Sequence, residues 1–304
     1  MMSASTQGLR RVAAIARATA LEILSEPLSL LLLLTGLVIV TLAPAFHYHQ
    51  FGEASRMARD AGLSSLFLCG TLFAVFGVLR SFRREVESGT LQMALAHPVS
   101  RRAFFLSKVL GAALAQLVFA VTVASTAVTI VNGAEIGGLV AAKSGDVARL
   151  WGPSLALGLS AIVVPLAVGA VLNRFFRFRF VLTSFVLSTV VALAGTAYAF
   201  HWEVAGRLLP VLVLLTVWSL VFLAASAAMS VRFRAHVAAS AVGVLAVVSV
   251  PVVGNYYLSD ALAKGGRVEW SYVGLASAVL VPAVTAFLLL GLRFFRAGVI
   301  GDGN

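Results

Sequence analysis

The sequence is poor in charge. Only 12% of its residues are Asp, Glu, Lys or Arg, about half of the roughly 25% usual for soluble domains. That deficit excludes the two soluble domains that a length of 304 residues would otherwise suggest. Cysteine is nearly absent as well. Cys69 stands alone, so an internal disulfide is excluded and no metal-site spacing exists. It reads as a small buried hydrophobe. A cleavable leader is not expected either. The first apolar run, Leu28 to Phe46, is too long for a signal core and ends in Phe46-His47-Tyr48-His49, with no small-residue cleavage site.

What replaces charge is apolar length. The chain is 60% hydrophobic, and its mean hydropathy is +0.99. Eight apolar runs have the length that a hydrocarbon core of roughly 30 Å demands. They are Leu28–Phe46, Leu63–Leu79, Val109–Val131, Gly152–Leu172, Phe180–Phe200, Leu208–Met229, Val237–Gly254 and Tyr272–Leu292. The expected fold is all-α: a polytopic helical membrane protein of about eight transmembrane helices, with 1–304 as a single transmembrane domain. Pro165, Pro251 and Pro282 fall inside runs and predict kinked helices, which membrane packing tolerates.

The formal charge of +11 is unevenly placed. Alternate loops starting from the amino terminus hold sixteen of the 23 basic residues, whereas acids favour the other side. The whole surplus lies on one face, which predicts cytoplasmic amino and carboxyl termini. A pI near 11.0 usually raises the question of nucleic acid. These basic residues form short juxtamembrane clusters, however, which meet anionic headgroups at about 1 kcal/mol each. Membrane lipids are therefore expected partners, and nucleic acid is not.

The interiors of all eight runs lack Asp, Glu, Lys, Arg and His. An ionisable group at mid-membrane costs roughly 2.5–3.5 kcal/mol and survives mainly where function needs it. Proton pumps, ion-coupled carriers, voltage sensors and carboxylate- or His-supported intramembrane proteases are thereby disfavoured. The third run does carry Gln116, Thr122, Ser125, Thr126 and Thr129. Their ordinary role is hydrogen bonding between helices, at about 0.6 kcal/mol per contact. Lining a substrate path is the alternative.

No phosphate-binding loop is present. The nearest approach, Gly138 to Ser144, has Ala142 where glycine must precede the lysine. The chain is expected to be non-catalytic, with no catalytic, cofactor-binding or metal-binding residues. ATP and Mg would belong to a separate polypeptide.

One polar passage interrupts the apolar pattern: "ESGTLQMALAHPVSRRAFFLSK", Glu87 to Lys108, between the second and third spans. Arg80 to Glu85 would carry the second span into water. Gly89 suits a left-handed helix terminus. Thr90 can cap a short helix over Leu91 to Ala96, with Leu91 and Leu95 on its apolar stripe. Pro98 stops that helix, and Ser100 can cap the next, starting at Arg101. The pattern predicts a short rigid helix parallel to the membrane, rooted in two long ones.

The order Glu-x-Gly-Thr-Leu, Pro-Val-Ser-Arg and Lys-x-x-Gly (Lys108 to Gly111) resembles the type-2 permease subunits of ABC transporters. The amino-terminal stretch 8–26 is similar too. Leu9, Val12, Ala13, Ala16, Ala20, Ile23 and Leu24 give it a weakly apolar face, as an interfacial amphipathic helix requires.

The resemblance implies a membrane subunit, most readily of an exporter in a bacterial plasma membrane. A separate ABC ATPase would dock on 81–108, using Glu87, Gly89, Thr90, Leu91, Leu95, Pro98, Ser100 and Arg101. A second permease copy or a homologue would complete the assembly. Such permeases commonly have six spans. The two extra runs are expected to be an addition, or else a re-entrant hairpin lies near Pro210 or Pro251. A scaffold or sensor recruiting another cytosolic protein through the same loop is the rival reading.

Three further stretches are notable. His47 and His49 flank Tyr48 but have no identifiable third metal ligand. "NRFFRFRF", Asn173 to Phe180, alternates aromatic and basic residues and reads as an interfacial anchor, with ATPase contact as the alternative. The loop Asn255 to Trp270 suits a short interfacial helix.

Overall fold

A computed structural model describes residues 4–43, 54–87, 100–144, 148–199, 201–232, 242 and 269–296. These residues form eight long helices and no strand. They are α1 (Ala4–Leu24), α2 (Pro27–Leu42), α3 (Ala54–Glu87), α4 (Arg101–Ser144), α5 (Ala148–Phe176), α6 (Phe180–Tyr198), α7 (Trp202–Arg232) and α8 (Trp270–Arg296). The six from α3 to α8 are each long and apolar enough to cross a membrane. The α1–α2 pair, bent by 64°, counts as a seventh candidate if taken as one broken span. The expected run Val237–Gly254 lies outside the described residues except for Val242.

The elbow between α1 and α2 follows from local chemistry. Pro27 begins α2, where its missing N–H costs nothing. A residue before proline avoids helical backbone, and Glu26 is extended at φ −76°, ψ 135°. The carbonyls left over at the end of α1 find nearby hydroxyls. Ser25 Oγ donates to Glu22 O at 2.8 Å, and Ser29 Oγ donates to Ile23 O at 2.6 Å.

The amino-terminal helix packs along α4, with Ala16, Thr19 and Ile23 buried. One expectation needs correction: a hairpin at Pro210 is excluded, because α7 runs unbroken through that residue. The α-helical assignment likewise continues through Pro165 in α5 and Pro282 in α8.

α3, α4 and α7 form the centre of the bundle and are the most deeply buried of the spans. Phe73 of α3 stacks on Phe119 of α4, with ring centroids 4.6 Å apart, and meets Phe185 of α6 at 6.1 Å. Glycines allow the backbones to close in, as membrane helices require. A side chain at Gly111 of α4 would strike the Ala16 carbonyl of α1, and one at Gly62 of α3 would strike Ala127 of α4.

Gly291, late in α8, sits against Ala228, late in α7, and Phe105, early in α4. Since α8 packs along α7, the two run in the same direction and end on the side where α4 begins.

Candidate functional site

The polar passage is rooted in α3 and α4. Glu87 is the last residue of α3, and residues 88–99, with Gly89, Thr90, Leu91, Leu95 and Pro98, lie outside the described residues. Its far root is described. Ser100 caps α4: its Oγ accepts the Ala103 N–H at 3.2 Å, and its carbonyl accepts the Phe104 N–H at 3.0 Å. Arg101 opens that helix.

Just inside these roots the two helices are fastened. Lys108 of α4 is only 1% exposed. Its Nζ donates to the Ser81 carbonyl of α3 at 2.9 Å and to Ser81 Oγ at 3.0 Å. The ammonium also lies 5.0 Å from the centroid of the Phe82 ring, a cation–π contact. An ammonium removed from water must be held by oxygens or a π-face, and Lys108 has both. Ser81 and Phe82 are buried whereas Arg83 and Arg84 are exposed, so the end of α3 is amphipathic.

Ser81 reaches a third helix. Its hydroxyl donates to Glu22 Oε2 of α1 at 3.4 Å while accepting from Lys108. Around it, the acids of the elbow meet two arginines one turn apart on α3. Arg80 Nε lies 3.1 Å from Glu26, and Arg84 Nη1 lies 3.4 Å from Glu26 and 3.7 Å from Glu22. Glu26 is mostly covered at 16% exposure, but Arg84 is 64% exposed, so each outer pair alone is worth no more than about 1 kcal/mol. The arrangement matters more than any pair. One buried ammonium, one hydroxyl and four outer charges bind the elbow, α3 and α4 at a single level.

Both residues of the Lys-x-x-Gly motif thus acquire a physical role. Lys108 joins α4 to α3, and Gly111, one turn deeper, admits the α1 backbone. Lys108 was visible in the motif, but its partner was not, and Glu22, Glu26, Arg80 and Arg84 appeared only as face charges. The signal that could have exposed them is a pair of acids at i, i+4 and a pair of arginines at i, i+4.

The hydroxyl-rich face of α4 is a separate feature. Thr122 and Thr189 oxygens lie 2.8 Å apart, and Thr129 and Thr196 oxygens 3.1 Å apart. Asn132 Nδ2 donates to Ala199 O at 2.8 Å. All three pairings join α4 to α6. Gln116 Nε2 donates instead to Ser219 Oγ of α7 at 2.8 Å. Helix–helix hydrogen bonding accounts for most of these groups. Ser125 contributes its carbonyl to Thr196, and Thr126 bonds within α4.

Among the described residues no group of three or more His, Cys, Asp or Glu could hold a metal ion. His47 and His49 lie outside them.

A family model described as ABC-2 family transporter protein matches residues 23–178, from the elbow through the turn after α5. No curated protein and no solved structure gives a significant match. The matched half contains the elbow, both roots of the polar passage and the Lys108–Ser81 junction. The chain belongs to the ABC-2 family of transporter proteins, as the multi-pass membrane component of an ABC transporter, a family that implies association with an ABC ATPase subunit.

Proposed function

We propose that this chain is the permease subunit of an ATP-driven exporter, powered by a separate ATPase that docks on the coupling segment 87–101. Glu87, Gly89, Thr90, Leu91, Leu95, Pro98, Ser100 and Arg101 would make the docking surface. ATP and Mg would be bound by the ATPase. Two permease copies, or this chain and a homologue, would pair with two ATPases in a bacterial plasma membrane.

The supporting observation is the junction at Lys108 and Ser81, 27 residues apart and spanning the whole segment. A load on a loop whose roots are free would spread them and dissipate. With the roots joined, the load moves α3 and α4 together and reaches the elbow through Glu22 and Glu26. The elbow already contains a 64° break with its own hydroxyl caps. A small set of backbone angles there would absorb a hinge motion. Spans without interior charge suit an energy source outside the membrane. Lipids, peptides, drugs and glycans fit such spans equally well as cargo.

The test is reconstitution with the ATPase. Combining Glu87→Lys with Leu91→Asp should leave the spans inserted while ATP turnover no longer drives transport. Full ATP-dependent transport by the double variant would refute docking on this segment. A scaffold would instead bind a cytosolic partner through it with no ATP-dependent flux in the wild type.

A further inference from the structure

Between α5 and α6 the chain reverses in three residues, 177–179. Arg177 has φ 55°, the one positive φ of a non-glycine residue among those described. That left-handed conformation is unfavourable for a residue carrying a Cβ and persists only where neighbours impose it. Here the neighbours are identifiable. Arg177 N–H donates to Asn173 O at 3.1 Å, and Asn173 Nδ2 donates to Phe178 O at 2.7 Å. The turn is therefore fixed by its own hydrogen bonds, although residues 173–179 are all exposed.

What it displays is unusual for a surface. Phe175, Phe176 and Phe178 are 75%, 68% and 55% exposed. Arg174, Arg177 and Arg179 alternate with them, and no acid pairs with these arginines among the described residues. The apolar span Pro153–Phe176 has 24 residues, which rise about 36 Å. That exceeds the roughly 30 Å hydrocarbon core, so the turn emerges among the headgroups. It does so on the side where α3 ends and α4 begins.

The occupant is indicated by the helix leading to the turn. Val164, Val168, Val171 and Phe175 are all exposed and share one helical stripe. Little of the apolar length of α5 and α6 is buried, so these two helices present their apolar faces outward. The Phe rings continue a lipid-facing surface, and the guanidinium groups stand where phosphates lie.

We propose that residues 173–179 form a preorganised site for an anionic phospholipid. The arginines would take the headgroup phosphate through charge-assisted, forked hydrogen bonds. The phenylalanines would sit at the glycerol level, where aromatic rings anchor membrane proteins. This site needs neither the ATPase nor transport, so it stands independently of the proposed function.

The test uses the purified full-length chain offered equimolar phosphatidylglycerol and phosphatidylcholine, with retained lipid counted by native mass spectrometry. The wild type should prefer phosphatidylglycerol roughly tenfold. The triple change R174Q/R177Q/R179Q should remove most of the preference, leaving what the other basic clusters of that face contribute. Asn173→Ala keeps every charge but releases the Phe178 carbonyl, and it should weaken the preference severalfold. An undiminished preference in the triple variant would overturn the site. Wild-type behaviour of Asn173→Ala would overturn its preorganised character by showing that charge alone suffices. In the assembled transporter, a photoreactive residue at 175 should capture lipid, and capture of the ATPase would refute the proposal.

Discussion

Two of the depths at which α4 makes polar contacts, its start and its middle, differ in chemistry. Near its start, Lys108 brings a full charge to Ser81, and Glu22, Glu26, Arg80 and Arg84 gather around. Two turns or more past Gly111 and as far as Asn132, only neutral groups remain, before Glu135 at the far end pairs with Arg207 at 3.2 Å, and the threonines behave alike. Thr122, Thr129, Thr189 and Thr196 can each bond the carbonyl four residues back in their own helix as well as approach a partner. Close to the headgroups, water and lipid phosphates offset the desolvation of ions. At mid-membrane nothing does, so hydroxyls that can fall back on their own helix are the tolerable polar groups. The shallow junction is thus specific and costly to break, while the deep seam is weak per contact and forgiving.

That contrast can be tested by graded damage. Gly111→Leu should have the largest effect, because the new side chain meets the Ala16 backbone, which cannot rotate aside. A loss of about 3 kcal/mol or more is expected for such overpacking, visible as a lowered melting midpoint in detergent or as poor recovery of folded chain.

Lys108→Met should come next. It removes a buried charge-assisted bond, worth roughly 1.5–3 kcal/mol, and should lower the melting midpoint while also uncoupling ATPase activity from transport.

Reversing charge across the outer ring with Glu26→Arg should cost about 1 kcal/mol or less at these partly exposed pairs. Adding Arg80→Glu and Arg84→Glu should recover part of the loss if Glu26 truly meets those arginines.

Thr129→Val should be mildest, about 0.6 kcal/mol. If Thr129→Val proved as damaging as Lys108→Met in the same melting assay, the distinction between the two depths would collapse.

Much of the fold was legible because the bilayer imposes length on each span. The α4 start was readable from Ser100 and Pro98, and the α2 start from the apolar run that opens at Leu28. The matched family was readable in the order of residues around Glu87 to Gly111. What stayed hidden was pairing at long range. Glu26 and Arg84 are 58 residues apart and Lys108 and Ser81 are 27 apart, and no local pattern names such partners. The amino-terminal helix reads as interfacial from its weakly apolar face with Arg10, Arg11 and Arg17 interspersed, and most of its apolar residues are small. Small residues are also what let Ala16 and Thr19 seat against Gly111, so the same composition served close packing. Pro210 invited a break that did not occur, since a transmembrane helix can continue past a proline when neighbours supply the missing contacts.

Three of the α4–α6 pairings share one arithmetic property: Thr122 with Thr189, Thr129 with Thr196, and Asn132 with Ala199 are each separated by 67 positions. Two staves of equal pitch, pointing the same way, are pegged at matching heights. Slippage of either along its axis would have to pull every peg simultaneously, whereas swinging both as a plank disturbs none. Any rearrangement during a working cycle should therefore carry α6 wherever α4 goes.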